Sequence, residues 1–358
     1  MGKESHALLP LGTRERSGMA ASATGLPLTS VVLAVRNEEE HIGRILDQIF
    51  KQDYPSHLLE VIIVDGQSDD RTAEIGSSYS YSGKKPILLR LTERGRSQGL
   101  NRGILAAKGD VIVRIDARTS ISSDYVSRCV ETLARTGADN VGGVQRPLAR
   151  SHRQEAIGIA MSHPFGVGNA QFRLGKKSGF VDSVYLGCFR REIFNKVGLF
   201  DERAAVISED SDINQRIREA GGKVYLNKDI VAYYYPRERF LDFWKLYFRY
   251  GGARAGNLLK HRKLTSWRQA VPPVFLATVA LSPVLALIDG RFLYLAVATP
   301  AVYVVANLSV SVALAAKEKK PWLAPLASCA FACMHFGWAL GFWRRLLVPE
   351  KAGRYWGN

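Results

Sequence analysis

The sequence predicts an α/β domain with a mainly parallel sheet, followed by C-terminal transmembrane helices. Two observations carry this. Short apolar runs alternate with amphipathic stretches through the first third of the chain, the pattern of strands connected by covering helices. After Arg268 the composition changes to long stretches without charge.

The first strand is the apolar run VVLAV at 31–35, and RNEEEHIGRILDQIF follows it. There Ile42, Ile45, Leu46, Ile49 and Phe50 recur at the helical spacing i, i+3, i+4, i+7 and i+8. Asn37 and the three glutamates after it suit the first turn. VIIV at 61–64 is a second strand, ending at Asp65-Gly66, and ILLRL at 87–91 a third. Residues 97–108 form a helix with Leu100, Ile104 and Leu105 on one side, and VIVRI at 111–115 is the fourth strand, running into Asp116. Ligands of such sheets sit beyond the carboxyl ends of the strands. Glu38, Asp65 and Asp116 each follow a strand, so three strand ends deliver polar groups to one rim. Singly, each has an ordinary reading too: Asp65 holding a turn, Asp69 and Asp70 capping a helix.

Residues 269–288, 292–316 and 321–343 are three apolar segments, each long enough to cross a hydrocarbon core of about 30 Å as a helix. DGR at 289–291 reads as a tight turn between the first two. The basic, aromatic stretch at 241–268 suits an amphipathic helix at the membrane interface. That stretch and KEKK at 317–320 both mark the cytoplasmic side. Three full spans then put the basic tail outside, so either the third segment re-enters or lies in the interface, or the tail breaks the rule. Residues 1–27 read as a polar leader without a secretory signal, 28–240 as the α/β domain, 269–349 as the membrane domain and 350–358 as a tail.

The chain has 358 residues and a formal charge of +16, which points to an anionic partner. Nucleic acid is excluded as that partner, for want of zinc-finger spacing or an arginine-rich recognition helix. Cys129, Cys188, Cys329 and Cys333 read as reduced thiols, and His163, His261 and His335, without partners at metal-like spacing, as structural.

Four stretches, VVLAVRNEEEHIGRILDQIF, VIIVDGQSDDRT, GLNRGILAAKGDVIVRIDAR and SEDSDINQRIREAGGKVYL, resemble in order and spacing the motifs of family 2 inverting glycosyltransferases with a GT-A (Rossmann-like) fold. FGVGNAQFR and VDSVYLGCFRREIF are similar to the bacterial succinoglycan-type exopolysaccharide transferases. The resemblance implies a membrane-bound enzyme of a bacterial inner membrane, its catalytic domain cytoplasmic. It would transfer sugar from a nucleotide-diphosphate sugar, UDP-sugar favoured, to a polyprenyl-diphosphate-linked glycan. Ala34, Arg36, Glu38, Asp65, Asp69, Asn101, Asp116, Ala117 and Arg118 are then expected at the donor, and Gly187, Cys188, Arg190 and Arg249 at the acceptor.

Asp210 is the implied base, beside Glu209. Asp116 matches the first acid of the family's D-x-D motif and is the expected ligand for Mg²⁺ or Mn²⁺. Arg118 replaces the second acid, Tyr235-Pro236 stand where relatives place a metal-binding His, and Leu246 stands where Gln is usual. Two readings follow. A cation is held with water and phosphate oxygens, or Arg118, with Arg237 or Arg249, grips the diphosphate directly. A polyprenyl-phosphate sugar synthase and an inactive membrane adaptor are the alternative functions.

Overall fold

The computed structural model describes residues 25–202, 209–262 and 267–348. Most of the leader, residues 203–208 and 263–266, and the 350–358 tail lie outside the described residues.

The catalytic-type domain runs β1 (Thr29–Val35), α1 (Glu39–Phe50), β2 (Leu59–Asp65), α2 (Thr72–Ser78), β3 (Ile87–Arg90), α3 (Arg96–Ala106), β4 (Val111–Arg114), β5 (Thr119–Ile121), α4 (Tyr125–Thr136) and β6 (Asn140–Pro147). It continues through α5 (His152–Ala160), α6 (Pro164–Val167), α7 (Gln171–Leu174), β7 (Gly179–Phe180), β8 (Tyr185–Arg190), α8 (Ile193–Val197), α9 (Glu209–Glu219) and β9 (Val224–Tyr234). Four long helices close the described chain: α10 (Phe240–His261), α11 (Val271–Ala286), α12 (Phe292–Glu318) and α13 (Leu323–Leu347).

The sheet order is β3-β2-β1-β4-β8-β6-β9-β5, with β7 also on β9. The expected parallel sheet is its first half: β3, β2, β1 and β4 pair in parallel. Beyond β4 it becomes mixed, because β8 runs antiparallel to both β4 and β6. Alternation along β1 separates two cores. Val31, Leu33 and Val35 pack with α1 and α4, while Val32 joins Leu100, Ile104, Phe189, Ile213 and Ile217 on the other face.

Trp267–Ala286, which is α11 with the helical turn before it, α12 and α13 are long and apolar enough to cross a membrane. The expected turn between the first two is present, with Asp289 accepting from the Arg291 N–H at 2.9 Å. α11 and α12 expose apolar side chains such as Val274, Val284, Val297 and Val305. α13 differs. Ala327, Ala330, Phe331 and Met334 are buried in a third core with Ala156, Ile157 and Ala160 of α5 and Phe243 and Tyr247 of α10. Glycines permit this contact: a Cβ on Gly251 of α10 would collide with the Trp338 carbonyl, and one on Gly341 of α13 with the Phe248 carbonyl. The membrane module and the sheet domain therefore share a core. The three histidines make structural contacts. His163 caps α6, His261 meets Asp212, and His335 bridges the Phe165 carbonyl and the Tyr303 hydroxyl. All four cysteines are free.

Candidate active site

A cavity of about 1140 Å³ opens between the carboxyl end of the parallel strands and the membrane helices. Its catalytic end is built on β4 and the first turn of α9. In a strand, residues i and i+2 share a face, so Arg114 points the same way as Asp116. Arg114 is almost fully buried, at 3% side-chain exposure. Such a cation needs counter-charge, and three carboxylates supply it. Arg114 donates to Asp116 at 3.3 Å, to Glu209 at 3.0 Å and to Asp210. Arg96, at the start of α3, adds a 2.5 Å bond to Asp116 and a 3.4 Å contact with Glu209.

This arrangement sets two carboxylates apart. Burial favours the neutral form of Asp116, but Arg114 and Arg96 outweigh it and hold the carboxyl well below the usual range. Asp210 goes the other way. Removal from water, reinforced by Glu209 and Asp116 and opposed by Arg114 and Arg96, pushes it up to about 7. A carboxylate that exchanges its proton near neutrality is suited to general-base work.

Ala34, Arg36, Glu38, Asp116, Ala117 and Arg118 line the cavity. Arg118 bonds Glu38 at 2.8 and 3.0 Å and is half exposed. Burial raises Glu38 above its ordinary value against that pairing. Asp69 is exposed and lies outside the cavity lining, 3.4 Å from Arg36. On the acceptor side Arg249 lines the cavity, as does Leu246.

Besides the exposed Asp69, five expected contacts do not line it, each for a local reason. Asp65 is 2% exposed and accepts from the Ser68 N–H at 3.3 Å. Asn101 holds Phe200, accepting from its N–H at 2.9 Å and donating to its carbonyl at 2.8 Å. Gly187 has φ +102°, and a Cβ there would press on the Phe189 ring, so packing within β8 demands glycine. Cys188 is buried in the sheet core. Arg190 ties β8 to the carbonyls of Ala138 and Leu133 at 3.0 and 2.9 Å.

Sequence reading missed Arg114 and Arg96. The signal for Arg114 was present, a cation two residues before Asp116 in an otherwise apolar strand. Arg96 gives none, because its partners come from β4 and α9. Tyr235 lies between the guanidiniums of Arg150 and Arg44, 4.2 and 5.3 Å from its ring centroid.

Among the described residues no three His, Cys, Asp or Glu side chains gather as metal ligands. Asp116, one-fifth exposed on the cavity, presents a single carboxylate. That fits Mg²⁺ or Mn²⁺ shared with substrate phosphates, which needs only one or two protein carboxylates.

The succinoglycan biosynthesis protein ExoA of Rhizobium meliloti is 31% identical over 319 residues, covering 88% of this chain and 94% of that protein. The chain belongs to glycosyl transferase family 2. The family's sequence model matches residues 30–198 of the transferase. A dolichyl N-acetyl-alpha-D-glucosaminyl phosphate 3-beta-D-2,3-diacetamido-2,3-dideoxy-beta-D-glucuronosyltransferase of Methanococcus voltae is 26% identical, over 63% of this transferase and 72% of that protein. Among solved structures, the mannosyltransferase PcManGT from Pyrobaculum calidifontis, in complex with GDP-Man and Mn²⁺, aligns with TM-score 0.59 at 22% identity, covering 94% and 92% of the two chains. The transferase shares its GT-A fold.

Proposed function

We propose that this membrane-associated transferase moves a sugar, with inversion, from a nucleotide-diphosphate sugar to a lipid-linked glycan at the cytoplasmic face of a bacterial inner membrane. The observation that carries this reading is one cavity with paired acids at one end and helices long enough to cross a membrane at the other. The names of the Rhizobium and Methanococcus relatives, one in exopolysaccharide synthesis and one with a dolichyl-linked sugar phosphate, support it.

In this reading Ala34, Arg36 and Glu38 face the nucleoside and Arg96 and Arg118 the diphosphate. Asp210 takes the proton of the acceptor hydroxyl as it attacks the anomeric carbon from the face opposite the leaving diphosphate. Arg114 keeps Asp210 and Asp116 in position. A divalent cation at Asp116, bound with the donor as in the Mn²⁺ complex of PcManGT, would neutralise charge on the departing diphosphate.

The test is calorimetric titration with UDP, the expected nucleotide, and with GDP and dTDP, with and without Mn²⁺, for the native chain, Asp116→Ala and Arg118→Ala. Metal-dependent binding lost in Asp116→Ala supports the cation site. Metal-independent binding lost in Arg118→Ala transfers that role to the arginine, and no binding of any nucleotide overturns the donor assignment. The cation-rich wall of the cavity favours one alternative, a synthase whose nucleophile is a lipid phosphate. Phosphate is already ionised and needs no base, so near-normal turnover in Asp210→Asn would select it.

A further inference from the structure

The two halves of the cavity differ in charge balance. At the catalytic end Arg96 and Arg114 face Asp116, Glu209 and Asp210 at ion-pair distance. The cavity is also lined by Arg173, Arg237 and Arg254, which have Tyr250 as a common electrostatic neighbour, and none of the three has an ion-pair partner among the described residues.

Their remaining contacts are weak or neutral. Arg173 is buried, 3.5 Å from the Tyr234 hydroxyl, with its guanidinium near the Phe172 and Tyr234 rings. Arg254 donates to the Ser211 hydroxyl, with Asp182 and Asp210 acting on it only at longer range. Arg237 has no hydrogen-bond partner among the described residues. Burial, with Arg118 and Arg249 adding repulsion, pulls it below its ordinary value.

One buried and two partly buried guanidiniums without an ion pair carry a desolvation cost that a bound anion would relieve. The planar, multi-donor guanidinium matches phosphate oxygens in particular. The same chamber is walled by Phe275 of α11, Val302 of α12 and Trp338 of α13. A small water-soluble anion has no use for that wall. A neutral lipid would leave the arginines unsatisfied. An amphiphile with a phosphate head satisfies both surfaces.

We infer that Arg173, Arg237 and Arg254 seat the phosphate or diphosphate headgroup of the acceptor lipid, whose chain runs past Phe275, Val302 and Trp338 toward the membrane. The inference rests on the proposed reading only in naming this ligand the acceptor. With its headgroup there, the first sugar of the acceptor lies between the seat and Asp210, which lines the same cavity.

The experiment titrates the full chain, in detergent micelles with saturating nucleotide present, with three probes: farnesyl phosphate, farnesol and inorganic diphosphate. Farnesyl phosphate is expected to bind about tenfold or more tightly than either of the others, the scale of one or two hydrogen bonds to a charged group. Arg254→Gln should weaken farnesyl phosphate about tenfold while nucleotide affinity stays unchanged, and Arg237→Gln should weaken farnesyl phosphate by as much. Arg237, partly exposed and without a partner, is the position whose replacement least disturbs folding. Equal binding of farnesol overturns the phosphate seat, and equal binding of inorganic diphosphate reduces it to a free-phosphate site. Wild-type affinity in both variants removes these arginines from it. Lipid-phosphate binding without nucleotide binding would keep the seat and discard the donor assignment; nucleotide binding alone would do the reverse.

Discussion

Arg114 and Asp210 meet across the floor of the cavity, joined by a hydrogen bond between the last residue of β4 and the first turn of α9. The bond connects residues 96 positions apart in sequence, and Asp116, Glu209 and Asp210 all depend on one buried cation.

Replacing that cation exposes the dependence. Arg114→Met leaves Glu209 buried and Asp116 and Asp210 without their shared partner. Breaking a buried ion pair typically costs about 3–5 kcal/mol. Equilibrium unfolding of the variant should show a loss on that order, and sugar transfer should disappear. Wild-type stability would show that the acids find other partners.

On the proposed reading, Asp210 makes transfer depend on pH. Its carboxyl lies at about 7 in the folded chain, so the ionised, base-competent fraction is half at that pH. Below it the rate should fall about tenfold per pH unit. The stability effect has the opposite sign. Between the ordinary value of 3.8 and about 7 the folded state holds a proton that the unfolded state has released, so stability decreases as pH rises through that window. Melting curves of the nucleotide-free chain against Asp210→Asn, which lacks the proton, should differ in slope there and nowhere else.

Asp212 behaves as a depressed acid. It is fully buried and contacts Arg216 at 2.8 Å, Lys260 at 2.5 Å and His261 at 3.0 Å, fastening α9 to the end of α10. Burial disfavours its charge, but Lys260, Arg216 and His261 outweigh it and hold the carboxyl below 3.8. Its contribution is present above that value and is lost as pH falls through the lower folded one. Asp212→Ala should destabilise the chain by roughly 3 kcal/mol at neutral pH, measured by denaturant unfolding. The variant should also lose part of the acid sensitivity of the native chain.

The α10–α13 contact is tested by adding one methyl group. Gly251→Ala or Gly341→Ala forces the two helices apart and should cost about 1–3 kcal/mol. Gly290→Ala, where a Cβ meets nothing within 4 Å, is the control. A thermal unfolding series in detergent reads all three. Equal melting temperatures would mean that the helices yield without loss.

What could be read in advance followed from local rules. Strand ends leading to Asp116 and the acidic first turn at Glu209 and Asp210 are short-range patterns, and both reach the cavity. The unread part is non-local. Arg96 and Arg254 have ordinary sequence neighbours and acquire their roles from residues 20 and 43 positions away. Asn101 sits on the helix expected for it, but its amide is taken by Phe200, 99 residues on. Nothing within ten residues of Asn101 foretells that. The glycines of α10 and α13 read as neutral members of apolar helices, because only the facing helix gives them meaning.

Those glycines also turn the molecule into a ruler. With α13 wedged against α10 and sharing a core with α5, the floor carrying Asp210 cannot rise or fall relative to the helices below it. On the proposed reading, the distance from bilayer to base is then a constant of the fold, and the acceptor hydroxyl must stand at that height.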